Sequence, residues 1–189
     1  MHKPEASHWR AAKEVLQYLA GTADLGLCFG WGDGLMACYD ADFFADVETR
    51  RSTTEWLFCW SLEAASRCSR SQPTVSTSTA ESEYLAAAAA TKEALWYRKP
   101  FSDLGEPRKT IAIGEENESC LAMLVNPEET GRAEHNDITH DIVQDRMERG
   151  EVPFHHTPTA AMAADGFTNP LPIAALPKVI SRLGVRRER

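Results

Sequence analysis

With 189 residues, 43% of them hydrophobic and 25% charged, the chain can bury the core of one domain with short appendages. It has no run of about 18 apolar residues, which excludes a membrane-spanning helix, and its N-terminus lacks the apolar stretch of a secretory signal. The absence of a Cys-x-x-Cys pair argues against a zinc ribbon. The net charge of −8 argues against a nucleic-acid binder unless some of the acids hold cations.

The first predicted elements are a helix and a group of three strands. Residues 7–21 carry apolar side chains at helical spacing, and Ser7 is the expected N-cap. After a glycine-rich turn, apolar runs at 35–39, 55–60 and 64–69 predict three strands. The second and third are close enough in sequence to form an antiparallel pair.

A long helix and a second set of alternating elements follow. Ser78 and Glu81 form a capping-box pattern, which predicts a helix over about 79–98 that includes five consecutive alanines. Further strands are predicted at 110–113 and 151–156, and further helices at 118–125, 140–149, 160–167 and 176–183. Strands followed by alternating helices and strands predict an α/β fold with a mixed sheet.

Acidic residues recur where predicted strands end and predicted helices begin. Two divalent cations about 3.5–4 Å apart can hydrolyse a phosphodiester, and they require carboxylates from several elements at one edge of a sheet. The candidates are Asp40 after the first strand, Glu83 in the capped helix, Glu115 or Glu116 after the fourth strand, and Asp165 in the helix at 160–167. Most acids at such positions are caps, turn formers or solvated side chains, and spacing alone leaves that alternative open.

Only one acid of the capped helix can reach such a site. Glu81 and Glu83 are two residues apart, so their side chains point in different directions. Glu81 is better explained as the acid of the capping box. The sequence therefore assigns Glu83 to the cation site.

Several motifs around these acids occur in order along the chain. They are Asp40-Ala41-Asp42-Phe43, Arg51-Ser52-Thr53-Thr54, the stretch from Gln72 to Ala86, Thr91 to Trp96, and Ala164-Asp165-Gly166 followed by Pro170-Leu171. Together they resemble the ribonuclease H region of copia-type LTR retrotransposon Pol polyproteins. The segment from His8 to Thr22 is similar to the end of the reverse transcriptase region that precedes it in this family.

The resemblance implies a ribonuclease H-like α/β fold, in which a five-stranded mixed sheet is flanked by helices. It implies an endonuclease that uses two Mg²⁺ ions, with Mn²⁺ as a substitute, to hydrolyse the RNA strand of RNA–DNA hybrids during reverse transcription. The residues that match the metal-binding and catalytic acids of the family are Asp40, Glu83, Glu116 and Asp165.

Some positions depart from the family pattern. The family has aspartate where this chain has Glu116, and the added methylene can displace a metal ion of strict octahedral geometry. Glu55 stands where glycine is usual, and Arg67, Asn136 and Asn169 are further departures. The alternative is therefore a catalytically impaired remnant that serves as a binding or structural part of a Pol polyprotein.

The resemblance also implies the organisation and surroundings of the chain. Residues 1–30 correspond to a remnant of the reverse transcriptase thumb or connection, 31–175 to the ribonuclease H-like domain, and 176–189 to a basic tail. The expected partners are an RNA–DNA hybrid and the reverse transcriptase and integrase regions of the same polyprotein, with no membrane. The expected location is intracellular, in a cytoplasmic virus-like particle that can have a nuclear phase, and the five dispersed cysteines predict free, mostly buried thiols.

Four histidines lie among acids in the last third of the chain: His135, His140, His155 and His156. Their spacing matches no compact zinc pattern, so solvated or capping histidines are expected. The resemblance offers His155 or His156 as a residue that assists product release.

Overall fold

The computed structural model describes residues 3–29, 34–61, 63–126, 137–158, 174 and 176–187. The helix predicted at 160–167, together with Asp165, lies outside these residues. The elements in chain order are α1 Ala6–Gly21, β1 Leu25–Leu27, β2 Leu35–Asp42, β3 Thr53–Trp60, β4 Glu63–Ser71, α2 Thr79–Asp103, β5 Ile113–Glu115, α3 Glu118–Val125, α4 Asp137–Glu148, β6 Phe154–His156, α5 Leu176–Arg182 and β7 Val185–Arg187.

Five strands form one mixed sheet in the order β4-β3-β2-β5-β6. β2, β3 and β4 pair as antiparallel neighbours, and Asp40 on β2 lies directly opposite Glu55 on β3. β5 runs parallel to both β2 and β6. The predicted five-stranded α/β sheet is confirmed, and the carboxyl ends of β2, β5 and β6 meet at one edge of it.

The main core lies between this sheet and three helices. Alternate residues of β2, Ala37 and Tyr39, face the buried alanines of α2, because successive strand side chains point to opposite faces. Cys120 of α3 and Val143 of α4 complete the same core. The alanine run lets α2 approach the sheet closely and so fixes the position of its first turns.

The opposite face of the sheet carries a small second core. Cys38, Leu57 and Cys59 are buried there, and Leu183 packs against them. The chain leads from Leu183 into β7, which pairs antiparallel with β1. Segments predicted as separate terminal regions therefore meet in a two-stranded sheet.

Local interactions determine where α2 begins and where it ends. At its start, Ser78 Oγ accepts a hydrogen bond from the Glu81 backbone N–H at 3.1 Å, as the capping-box pattern predicts. At its end, α2 continues past the predicted boundary and includes Pro100. Phe101 is buried and stacks on Trp60 with ring centroids 4.5 Å apart, and this packing holds the last turn.

Other boundaries differ from the sequence-based predictions. Glu5, not Ser7, caps α1, and its backbone N–H donates to His8 Nδ1 at 2.9 Å. β5 begins at Ile113 and reaches Glu115, because residues 110–112 do not join the ladder with β2. The strands β1 and β7 were not predicted, since three residues are too few to show a period.

Two predictions about composition can be compared with the structure. All five cysteines are free, and Cys38, Cys59 and Cys120 are buried, which confirms the prediction of free, mostly buried thiols. No helix in the described ranges is both long and apolar enough to cross a membrane.

Candidate active site

Acidic side chains from three elements lie at the sheet edge where β2 and β5 end. Asp40 on β2 is 9% exposed, Glu83 in the second turn of α2 is 6% exposed, and Glu115 at the end of β5 is fully buried. Glu116 follows β5 and is partly exposed. The structure thus brings together Asp40, Glu83 and Glu116, whereas the predicted fourth acid, Asp165, lies outside the described residues.

Glu83 is held in a buried position with other acids around it. The backbone N–H of Ala41 donates to its carboxylate, while Oε2 is buried without a hydrogen-bond partner. Burial is the largest cause, and together with the charges of Glu115, Asp40 and Glu116, in that order of size, it raises the pKa of Glu83 to about 10. At neutral pH this carboxyl therefore holds a proton unless a positive ion offsets the surrounding charge.

Glu115 lies deeper than Glu116 and has two hydrogen-bond donors. The Asn117 backbone N–H donates to Glu115 Oε1 at 2.6 Å, and the Tyr39 hydroxyl bonds the same carboxyl group. Burial, together with the smaller effects of the charges of Asp40 and Glu116, nevertheless raises the pKa of Glu115 to about 7. The second oxygen of Glu115 is buried without a hydrogen-bond partner. The sequence left Glu115 or Glu116 open, and the structure places both beside Glu83.

The turn after β5 positions Glu116. Asn117 caps α3, with its Oδ1 accepting the Cys120 backbone N–H at 3.0 Å. This cap fixes the backbone between the strand and the helix, and Glu116 lies within that turn. Its Oε2 is also buried without a hydrogen-bond partner.

The donor set fits a hard divalent cation in its chemistry. Glu83, Glu115 and Glu116 each present one buried oxygen without a partner, and carboxylate oxygens are the preferred ligands of such ions. The carboxylates are neighbours without converging on one point: within the described part of the chain, no three His, Cys, Asp or Glu side chains are arranged as a metal site. Binding an ion would therefore require these carboxylates to converge by side-chain rotation.

Two further acids lie on the other side of Asp40. Glu55 faces it across the β2–β3 ladder and is fully buried, and Asp42 follows two residues later on β2. Burial, with a smaller contribution from the charge of Asp40, raises the pKa of Glu55 to about 7 and the pKa of Asp42 above its usual value. Sequence reasoning missed this proximity, because it depends on the strand register.

The histidines are less informative. His155 and His156 are exposed on β6 and pair with Gly114 and Glu115 of β5, so they share the sheet edge with the acids. His135 lies outside the described residues. The role of His155 or His156 in product release stays a prediction.

Comparison with known sequences gives long matches. No protein-family model matches the chain. It is 31% identical over 91% of its length to "Retrovirus-related Pol polyprotein from transposon TNT 1-94" of Nicotiana tabacum, and 29% identical over 98% of its length to "Retrovirus-related Pol polyprotein from transposon RE2" of Arabidopsis thaliana. The chain spans about 13% of the length of each of these relatives. It is also 44% identical to "Secreted RxLR effector protein 161" of Plasmopara viticola, over 49% of this chain and 67% of that protein.

Solved structures show the same fold at low sequence identity. LC11-RNase H1, isolated from compost by a metagenomic approach, matches with a TM-score of 0.54 and 15% identity over 73% of this chain and 94% of its own. The crystal structure of LC11-RNase H1 in complex with an RNA/DNA hybrid matches with a TM-score of 0.52 and 15% identity over 76% of this chain and 99% of that chain. The chain therefore has the ribonuclease H fold, and over most of its length its homologues are retrovirus-related Pol polyproteins of transposons.

Proposed function

We propose that the chain is the ribonuclease H domain of a copia-type transposon Pol polyprotein and hydrolyses the RNA strand of RNA–DNA hybrids with two Mg²⁺ ions. The observation that carries this proposal is the group of buried carboxylates around Asp40 and Glu83, at the sheet edge of a ribonuclease H fold. The homology to Pol polyproteins supports a ribonuclease H-type role.

The acids would have specific roles in such a reaction. Asp40, Glu83 and Glu116 would hold the ions, together with Asp165, which is carried over from the family motif. When bound, the ions would activate the attacking water and stabilise the negative charge that develops around phosphorus. Glu83 must release its proton as an ion enters, because burial among acids favours the protonated carboxyl in the absence of the ion.

Glu115 has a supporting part in this proposal. Its hydrogen bonds from Asn117 and Tyr39 tie it to the start of α3 and to the core. It would therefore contribute negative charge near the cation site and orient the turn that carries Glu116. A buried, tethered acid of this kind is a positioning residue.

The proposed substrate is consistent with the charge of the chain. A hybrid duplex would be recognised by its backbone shape and its 2′-hydroxyl groups, without reading base sequence. The net charge of −8 opposes binding of a polyanion, and two divalent ions would bring +4 to the place where the phosphate must approach. The reverse transcriptase and integrase regions as partners, and a cytoplasmic particle with a nuclear phase as location, belong to the same proposal.

Cleavage of a labelled hybrid tests the function. The purified chain is incubated with an RNA–DNA hybrid, an RNA duplex or a DNA duplex, each with Mg²⁺, Mn²⁺ or EDTA. We expect the RNA strand of the hybrid alone to be cut, only with a divalent ion, and Asp40→Asn or Glu83→Gln to slow cleavage by about 100-fold or more. The matched control is Glu93→Gln. Glu93 lies on the same helix α2 but away from the acids, and it accepts a hydrogen bond from the Ser66 hydroxyl at 2.7 Å. This variant should retain activity. Cleavage that persists unchanged in Asp40→Asn would contradict the assignment.

A catalytically impaired domain is the second candidate. The observations that favour it are the glutamate at position 116, where the family has aspartate, and the absence of a converged metal site among the described carboxylates. Such a domain would bind a hybrid without cutting it. Glu116→Asp separates the two: activity that appears only in this variant supports the impaired copy, and comparable activity in both chains supports the enzyme.

A further inference from the structure

Glu55 occupies an unusual position next to the proposed site. Directly opposed residues of an antiparallel pair have Cβ atoms about 4.5–5.5 Å apart and point to the same face, and Glu55 is opposed to Asp40. The side chain is fully buried. Ser69 on β4, the residue opposite Glu55 on its other side, donates its hydroxyl to Glu55 Oε1 at 2.5 Å. Glu55 Oε2 is buried and has no hydrogen-bond partner.

Asp40 separates Glu55 from the other acids of the site. The charges that act on Glu55 come from Asp40 and Asp42. Those that act on Glu83 come from Glu115, Asp40 and Glu116. Asp40 is common to both sets, so the acids form two groups on either side of it.

A buried carboxylate with one free oxygen is costly unless a positive ion or a proton compensates it. Glu55 forms no ion pair with any basic side chain in the described ranges. The family pattern gives the position no role, since glycine is usual there. Glu55 therefore lies outside the set of acids that the family resemblance assigns to metal binding.

We propose that Glu55 is an additional carboxylate ligand of the cation site. Its Oε2, which has no hydrogen-bond partner, binds the ion on the β3 side of Asp40 directly or through one water. The inference rests on the proposed function, because it requires a cation at Asp40. It differs from a purely structural role, in which Glu55 would stay neutral in the sheet and take no part in cation binding.

Calorimetric titration of the full chain with Mn²⁺, without substrate, tests the inference. Glu55→Gln keeps the size of the side chain and the bond with Ser69 but removes the charge. We expect it to weaken at least one Mn²⁺ site by about 10-fold or more. The matched control is Glu63→Gln, because Glu63 is also buried with one oxygen lacking a hydrogen bond, yet it lies on β4 and pairs with Arg186. The control should bind Mn²⁺ as the unaltered chain does.

Thermal unfolding supplies a second readout. Without divalent ions, Glu55→Gln should melt at the same temperature as the unaltered chain or higher, because a buried uncompensated carboxyl is gone. With Mn²⁺, its melting temperature should rise less than that of the unaltered chain. If Glu55 had a purely structural role, Glu55→Gln would lower the cation-free melting temperature and would leave the rise caused by Mn²⁺ as large as in the unaltered chain.

The outcomes separate the inference from the function on which it rests. Unchanged Mn²⁺ affinity in folded Glu55→Gln overturns the role of Glu55 and leaves the proposed function standing. Absence of Mn²⁺ binding by the unaltered chain overturns both. If Glu55→Gln does not fold, Glu55→Gly, which carries the residue usual in the family, replaces it; the same loss supports the inference, and unchanged affinity overturns it.

Discussion

At the scale of single residues, the site depends on carboxyl groups that are buried beside one another. Glu83 receives one backbone hydrogen bond and otherwise faces acids, so its ionised form is strongly disfavoured without a cation. Such an arrangement lowers stability unless a ligand compensates it. A site kept in this state is typical of positions where function takes precedence over stability.

The pH dependence of stability follows from Glu83. Its folded-state pKa of about 10 lies above the unfolded value near 4.5, so the folded chain binds more protons than the unfolded chain between these limits. The contribution of Glu83 to stability is therefore complete below about pH 4.5 and falls as the pH rises toward 10. We expect urea unfolding in EDTA between pH 5 and 9 to show that the free energy of unfolding of Glu83→Gln increases relative to that of the unaltered chain as the pH rises. Parallel curves for the two proteins would contradict the raised pKa of Glu83.

The sequence selected Asp40, Glu83 and Glu116 as candidates because each lies in a motif or at the end of an element with a clear pattern. Spacing alone could not choose between Glu115 and Glu116, since that choice depends on where β5 ends and which residue faces inward. The resemblance to the family selected Glu116. Glu55 was noticed only as a departure from the family. Its contact with Asp40 is a matter of strand register, which a single sequence specifies only weakly.

At the scale of elements, α2 carries Glu83, and its first turn fixes where that side chain lies. The Ser78 hydroxyl satisfies the Glu81 N–H, and the Glu81 carboxylate accepts the Thr77 N–H at 2.7 Å. Ser78→Ala should therefore lower the free energy of unfolding by about 1 kcal/mol, as measured by urea denaturation. Ser102→Ala, at an exposed position near the other end of α2, is the control and should change it by less than about 0.5 kcal/mol. Equal effects of both changes would argue against the cap.

The junction of α5 and β7 depends on Gly184. Its φ is +72°, and an added Cβ would lie 2.9 Å from Glu63 Cα, a contact too short without a backbone shift. Gly184→Ala should destabilise the folded chain by about 2 kcal/mol or more, because backbone strain and steric overlap act together. A lower melting temperature measures this loss. Gly105→Ala has a similar φ of +83° but open space around it, so it should cost only about 1 kcal/mol. Similar losses in the two variants would contradict the close packing of Gly184 on β4.

The elements differ in how well they could be predicted. α2 and α3 were found because a cap and a run of helix-forming residues mark each of them. β2, β3 and β4 were found as apolar runs, although their ends were placed too early or too late. β1 and β7 could not be found, since each exists through pairing with a strand more than 150 residues away along the chain.

At the scale of the whole molecule, α1 stands apart from the core. None of its residues is buried, and Trp9, Leu16 and Leu19 are exposed. Removal of residues 1–21 should therefore change the free energy of unfolding by less than about 1 kcal/mol, because little apolar area is lost from the core. Urea denaturation of the shortened chain measures this. A loss of several kcal/mol would mean that α1 packs against the domain.

The overall acidity of the chain is consistent with the proposed function, in which cations bind at the site before a nucleic acid does. Of the charged residues, 28 are acidic and 20 basic, and several of the acids are concentrated at one sheet edge. Divalent ions would reverse the local charge there without altering the rest of the surface. This links the charge balance of the molecule to the site.

The most direct test of the account is a crystal structure of the chain soaked with Mn²⁺, with anomalous scattering used to locate the ions. We predict two peaks beside Asp40, with Glu83 and Glu116 turned toward them and at least one peak within reach of Glu55. Well-ordered crystals without a peak near Asp40, or with Mn²⁺ bound only elsewhere on the surface, would contradict the central claim that these carboxylates form a cation site.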